Sequence, residues 1–201
     1  DDINFPEDSK AWQEDVNGQW DFGNKLLFNS QNPAEKMIFW GRIPMILILL
    51  VLGFYVFLWT KEVFGNKAAL IALFLYSFSP TFLAHGRLVT TDVAAALGAF
   101  IASYYFVKFL KSPLKRNILY AGLAFGIAQL LKFSLILLFP LFIFLVIVWA
   151  IVKEKKKKDF LNKLGKYFLF TVLVGLVALA LIWAVYIFHT WNYPPQRQAR
   201  D

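Results

Sequence analysis

Residues 68–107 divide into three consecutive pieces, AALIALFLYSFSPTFLA (68–84), HGRLVTTD (85–92) and VAAALGAFIASYYFV (93–107). The flanking pieces are apolar and close to the length of a membrane-crossing helix, whereas the middle one gathers His85, Arg87 and Asp92 within eight residues. A charged side chain in a bilayer core costs about 2.5 to 3.5 kcal/mol, so such a cluster belongs at a helix end and is a functional candidate there. Each residue also has a plain structural reading. Arg87 could snorkel to headgroups, and Asp92 could cap the following helix with help from the Thr90 and Thr91 hydroxyls.

Composition extends this reading to the whole chain. Of its 201 residues 59% are hydrophobic and 18% aromatic, mean hydropathy is +0.55, and several apolar runs approach the length needed to cross the bilayer. About twenty residues span a hydrocarbon core of roughly 30 Å. The expectation is an all-α integral membrane protein. A net charge of +8 would suggest nucleic acid in a soluble protein. Here the lysines and arginines concentrate in short inter-helix loops, where they set topology, and nucleic-acid binding is rejected. With no cysteine there is neither a disulfide framework nor a thiolate metal site. Nothing reads as a signal peptide, and the first residue is Asp1 rather than Met, so the chain is expected to be part of a longer one.

Six spans are expected, at 43–59, 68–84, 93–107, 117–131, 133–152 and 167–188. Pro44 reads as lying near the start of the first, where its missing N–H costs nothing, and Pro80 predicts a kink or stop at the far end of the second. Small residues in the third permit close helix approach. Lys132 separates the fourth from the fifth as either a tight turn or a kink in one long helix. The positive-inside rule decides for two helices. It puts the Lys108–Arg116 loop on the same side as the seven lysines at 153, 155, 156, 157, 158, 163 and 166.

Three regions follow. Residues 1–40 form an extracytoplasmic loop segment with eight acidic residues against three lysines, and with Trp12, Trp20, Phe22, Phe28, Phe39 and Trp40 too aromatic for a free tail. Residues 41–188 form the transmembrane domain, and 189–201 (HTWNYPPQRQARD) begin a further extracytoplasmic loop. On this topology the acidic segment, the 85–92 loop, Lys132 and the tail share the extracytoplasmic face of the cell membrane. The cytoplasmic loops offer only lysine-rich topology signals. One-sided chemistry argues for an enzyme or receptor on that face. A transporter would place polar groups near the midplane, often in inverted repeats, and no such symmetry is visible.

Arg87 and Lys132 suit the phosphate or diphosphate of a lipid-linked substrate, the arginine by bidentate hydrogen bonds and the lysine as a point charge. Asp92 could hold a divalent metal ion or orient an arginine; His85, with no second imidazole nearby, is a weak metal signal. No Gly-rich phosphate loop, GxSxG or HExxH occurs.

Several motifs carry a family resemblance. They are Arg42-x-Pro44 entering a helix, the turn KEVFGNKAA (Lys61 to Ala69), Ser79-Pro80 with Arg87 and Asp92 downstream, and GLAFGIAQLLK (Gly122 to Lys132). Together they resemble the core of the family 39 glycosyltransferases of the GT-C fold, which include the protein O-mannosyltransferases and the lipid A aminoarabinose transferases, here in a prokaryotic form. The resemblance implies an inverting transfer from a polyprenyl-phosphate sugar to a lipid, glycan or protein acceptor. It also implies a base from an acidic pair in the first outer loop, just after a first helix that is not recognisable here. That base is therefore expected upstream of Asp1, neither Asp1 nor Asp2 takes the role, and the 201-residue chain alone is expected to be inactive. Arg87 and Lys132, with Asp92 and His85 beside them, are implied to bind the leaving phosphate. The competing readings are a non-enzymatic transporter or lipid flippase subunit and a transferase of some group other than a sugar.

Because the chain lacks cysteine, Trp20→Cys, Arg87→Cys and Lys156→Cys each report topology directly. An impermeant thiol reagent on intact cells is expected to label positions 20 and 87 but not 156. The opposite pattern overturns the arrangement.

Overall fold

The computed structural model describes residues 3–15, 17–153 and 157–191, without the side chains of 157–159, and every regular element among them is helical. Asp1, Asp2, Lys155, Lys156 and the tail beyond Trp191 lie outside the described residues, as do the side chains of Lys157 and Lys158.

The acidic, aromatic first segment folds on itself as a small helical cap. It holds α1 (Lys10–Gln13), α2 (Gln19–Asn24) and a π turn (Lys25–Asn29). Phe5, Trp12 and Phe22 meet pairwise with ring centroids 5.1 to 5.2 Å apart. Asn32 closes the segment: its side-chain oxygen accepts from the Asn4 N–H at 2.8 Å, and its amide donates to the Asn4 and Leu26 carbonyls. Trp20 and Phe28 are left exposed, outside the aromatic trio.

The chain then enters α3 (Ala34–Phe64), which begins well before the expected span. Pro44 is consequently interior to the helix and not at its start, which corrects the sequence reading. The reason is that AEKMIFWG continues the helical run upstream, punctuated only by Pro33. Lacking an N–H, Pro44 leaves the Trp40 carbonyl without its helical donor. At the other end Gly65 takes φ +85°, a backbone that side-chain-bearing residues rarely adopt. It reverses the chain into α4 (Asn66–Ser77), which runs back along α3.

Phe78 and Ser79 break the helix, Ser79 being extended at ψ 120°, and Pro80 opens the short α5 (Pro80–His85). The expected second span is thus two pieces, because proline cannot continue the hydrogen-bond ladder and biases the residue before it toward extended backbone. After the 86–90 loop come α6 (Thr91–Lys111) and α7 (Lys115–Leu131). Lys132, extended at φ −157° and ψ 123°, then separates α7 from a 3-10 turn (Phe133–Leu137) and α8 (Leu138–Lys153). The last helix is α9 (Lys157–Thr190).

Four of these segments are long and apolar enough to cross a membrane: Ala34–Phe64, Thr91–Lys111, Phe133–Lys153 and Phe160–Thr190. That corrects the expected six. The helix broken at Ser79-Pro80 and the 17-residue α7 are shorter, although both pack against the spanning helices.

The core explains why α7 can be short. In the apolar window of α6 56% of residues are buried, against 17 to 22% for the other three, so α6 is the central helix. On one side α7 packs against α6, where a Cβ on Gly98 would come within 3.1 Å of the Ala128 Cα. On the other it packs against α9, where a Cβ on Gly122 would meet Val177 Cβ at 2.5 Å and the Val174 carbonyl oxygen at 2.9 Å. Between hydrocarbon-embedded helices, association comes from close van der Waals packing, which small residues permit. Phe106 of α6 and Phe142 of α8 stack face to face, 4.0 Å between centroids and 4° from parallel. The outward surfaces of α3, α8 and α9 expose row upon row of Leu, Ile, Val and Phe. An apolar surface that continuous suits lipid, not water.

A methyl at Gly122 would strike backbone as well as side chain, so Gly122→Ala is expected to destabilise the helix bundle by about 1 to 3 kcal/mol. Gly165→Ala, on the same α9 partner helix but with nothing within 4 Å of its added Cβ, is expected to be neutral. Denaturant unfolding of the purified protein in detergent compares the two; equal stabilities would show that α7 and α9 do not pack this closely.

Candidate functional site

Side-chain contacts tie the helix ends into two polar groups. The first lies where the 85–92 loop, the start of α6 and the end of α7 meet. Lys132 Nζ donates to Asp92 Oδ1 at 3.0 Å, joining residues 40 positions apart in the chain. Both owe their position to local structure. Asp92 stands in the first turn of α6, behind Thr90 at the cap position, where free backbone N–H groups and the helix dipole favour a carboxylate. It is therefore not the cap residue itself. Lys132 stands where α7 stops, its N–H still bonded to the Ala128 carbonyl at 3.1 Å while its own carbonyl accepts from Leu135 N–H at 3.0 Å.

His85 ends α5, exposed and within electrostatic range of Asp92. Arg87 is exposed on the loop, and among the described residues no salt bridge engages it. The loop is laid across α3 by two close approaches. A Cβ on Gly86 would lie 2.5 Å from Leu49 Cδ2, and one on Gly41 would lie 3.5 Å from Val89 Cγ2. Exposed Arg42, next to Gly41, therefore belongs to the same end, a cation that sequence reasoning noted only as part of a motif.

The charges of these groups suit an anion better than a metal ion. Asp92 faces the Lys132 ammonium, and among the described residues no three His, Asp or Glu side chains gather as a ligand set. The donor set at Asp92 does not fit a divalent cation.

The second polar group was not anticipated. At the opposite end, buried Tyr104 donates its hydroxyl proton to Glu62 Oε1 at 2.8 Å and accepts from Lys108, which itself donates to Glu62 Oε1 at 2.9 Å. Trp59 and Tyr55 stand edge-on to the Tyr104 ring. The expectation that this end offers only lysine-rich loops is thereby corrected. Glu62 sits between Lys61 and Lys67 in a stretch that reads as a turn, and nothing in the sequence links it to Lys108. The network joins the ends of α3 and α6 and is closed on itself, which is the arrangement of a structural tie.

Residues 34–183, most of the chain, match a family model described as dolichyl-phosphate-mannose-protein mannosyltransferase. No curated protein and no solved structure matches. The matched stretch begins where α3 begins and includes Arg42, His85, Arg87, Asp92 and Lys132.

The two polar groups predict opposite mutational behaviour. Tyr104→Phe removes one donated and one accepted hydrogen bond from a buried site and is expected to cost about 1 to 3 kcal/mol in unfolding free energy. Asp92→Asn, at an exposed pair, is expected to leave the unfolding midpoint nearly unchanged. A large stability loss at Asp92 with none at Tyr104 would exchange the two assignments.

Proposed function

Because the chain belongs to the dolichyl-phosphate-mannose-protein mannosyltransferase family, it is a membrane glycosyltransferase of the GT-C type, and we propose that its loop-side cluster binds the phosphate of a polyprenyl-phosphate sugar on the extracytoplasmic face of the plasma membrane. The reaction is an inverting transfer to a lipid, glycan or protein hydroxyl. The acceptor oxygen attacks the anomeric carbon, the bond from that carbon to the phosphate oxygen breaks, and polyprenyl phosphate leaves as an anion. The acceptor proton passes to a general base. By the family resemblance that base is a carboxylate of the first outer loop.

The observation that carries this reading is the Asp92–Lys132 pair, with exposed Arg87 on the loop that leads to Asp92. Negative charge grows on the phosphate oxygens as the sugar bond breaks, and preorganised cations stabilise that growth more than they stabilise the intact donor. Arg87 offers a planar fork matched to two phosphate oxygens. Lys132 has three N–H donors; Asp92 occupies one and fixes the ammonium in place, which leaves two for the donor phosphate. His85 adds a hydrogen-bonding group on the same side. Asp92 thus acts as a positioning residue, and its effect runs through Lys132. The sugar arrives already activated on its lipid, so the site has no need of a nucleotide-binding loop.

Arg87→Lys keeps the charge and loses the fork, and in the full-length protein it is expected to lower sugar transfer roughly ten- to a hundredfold, the scale of one charge-assisted hydrogen bond, at unchanged expression. Asp92→Asn is expected to lower it as well, with the larger part of the loss in donor KM. The 201-residue chain by itself is expected to bind polyprenyl phosphate without turning it over. Full transfer by both variants, measured with a radiolabelled lipid-linked sugar, would remove the site; turnover by the isolated chain would place the base within it.

A further inference from the structure

At the end opposite the loop-side cluster, α6, α8 and α9 enclose a cleft of about 400 Å³ lined by Lys111, Trp149, Ala150, Lys153, Lys163 and Tyr167. We propose that this cleft is a binding site for the phosphate of an anionic phospholipid headgroup, distinct from the donor site.

The lysines come from three different helices, whereas lysines that merely mark topology need no common focus. Lys108 is already neutralised by Glu62. Among the described residues no salt bridge engages Lys111 or Lys153. Glu62 acts on Lys111 only through space, its carboxylate being held by Tyr104 and Lys108. Lys111 and Lys153 bring like charges from two helices to one cleft, at a Coulomb cost that an anion seated between them removes.

The walls suit a lipid more than a free ion. Trp149 is half-buried, with the Lys153 ammonium 5.1 Å from its ring centroid. Tyr167 is fixed by a hydrogen bond from its hydroxyl to the Leu110 carbonyl at 3.3 Å. Trp and Tyr favour the headgroup level of a bilayer, and basic pockets between helices are suited to anionic headgroups. Buried Ala150 also lines the cleft, and α8 and α9 carry exposed apolar faces of the kind that acyl chains contact.

The test is native mass spectrometry of the purified protein from micelles holding equimolar phosphatidylglycerol and phosphatidylcholine. One phosphatidylglycerol is expected to be retained in preference, with retention falling as salt rises. Lys111→Gln and Lys153→Gln are each expected to weaken it about fivefold, the equivalent of about 1 kcal/mol per surface cation. Lys61→Gln/Lys67→Gln, at the same end but outside the cleft, serves as the control and should retain lipid normally. Equal retention of the two lipids overturns the proposal, as does retention indifferent to Lys111 and Lys153. Displacement by millimolar glycerol 3-phosphate with no preference between lipids would assign the cleft to a soluble phosphate and overturn the lipid assignment. Should the glutamine variants fail to insert, the salt titration of the unaltered protein decides alone, salt-independent retention counting against the site.

Discussion

Inside hydrocarbon every backbone N–H and C=O must find its partner within the protein, so the chain can leave the helical state only near the membrane surfaces or where other helices cover the break. The interruptions at Gly65, Ser79-Pro80, 112–114 and Lys132 obey that rule. Each occurs at an end of the bundle, and each brings a polar or charged side chain with it. The loop-side cluster is therefore a by-product of where helices are allowed to stop. Lys132 reaches Asp92 because α7 ends at Leu131 and α6 begins at Thr91 on the same end.

Small residues then determine how closely those ends are held. Gly98, Gly122 and Gly126 remove the side chains that would keep α7 away from α6 and α9. With α7 pressed between two neighbours, the height of Lys132 along the bundle is determined by packing and not by the lysine's own long stem. This distinguishes it from a snorkelling lysine, whose head goes wherever headgroups are.

Much of this could be read from the chain before any coordinates. Apolar length announced a helical membrane protein, Pro80 announced the break before the loop, and the distribution of lysines separated α7 from α8 at Lys132. The resemblance carried by Arg42, the Lys61–Ala69 turn and the Gly122–Lys132 run agrees with the family match. Two things resisted. Residues 34–42 carry Glu35, Lys36 and Arg42 among aromatics, and polarity hides a helix that has already begun, so Pro44 lies inside a helix that the sequence reads as starting beside it. Pairings across the bundle, Asp92 with Lys132 and Glu62 with Lys108, depend on which helices are neighbours. Periodicity within one helix carries no record of that, since hydrocarbon and a packed helix both accept the same apolar face.

Asp92 and Lys108 sit sixteen positions apart on the single rod of α6, anchored respectively to α7 and α3. At 1.5 Å per residue the two anchors are roughly 24 Å apart, a little under the thickness of a hydrocarbon core of about 30 Å. The central helix thereby works as a spacer bar, referencing the loop-side cations to the opposite leaflet. In a thicker bilayer the Asp92–Lys132 pair sinks toward the acyl chains, and in a thinner one it stands out among the headgroups, since tilting a helix so enclosed would disturb all its neighbours. The depth at which this cluster sits is in that sense a property of membrane and helix together.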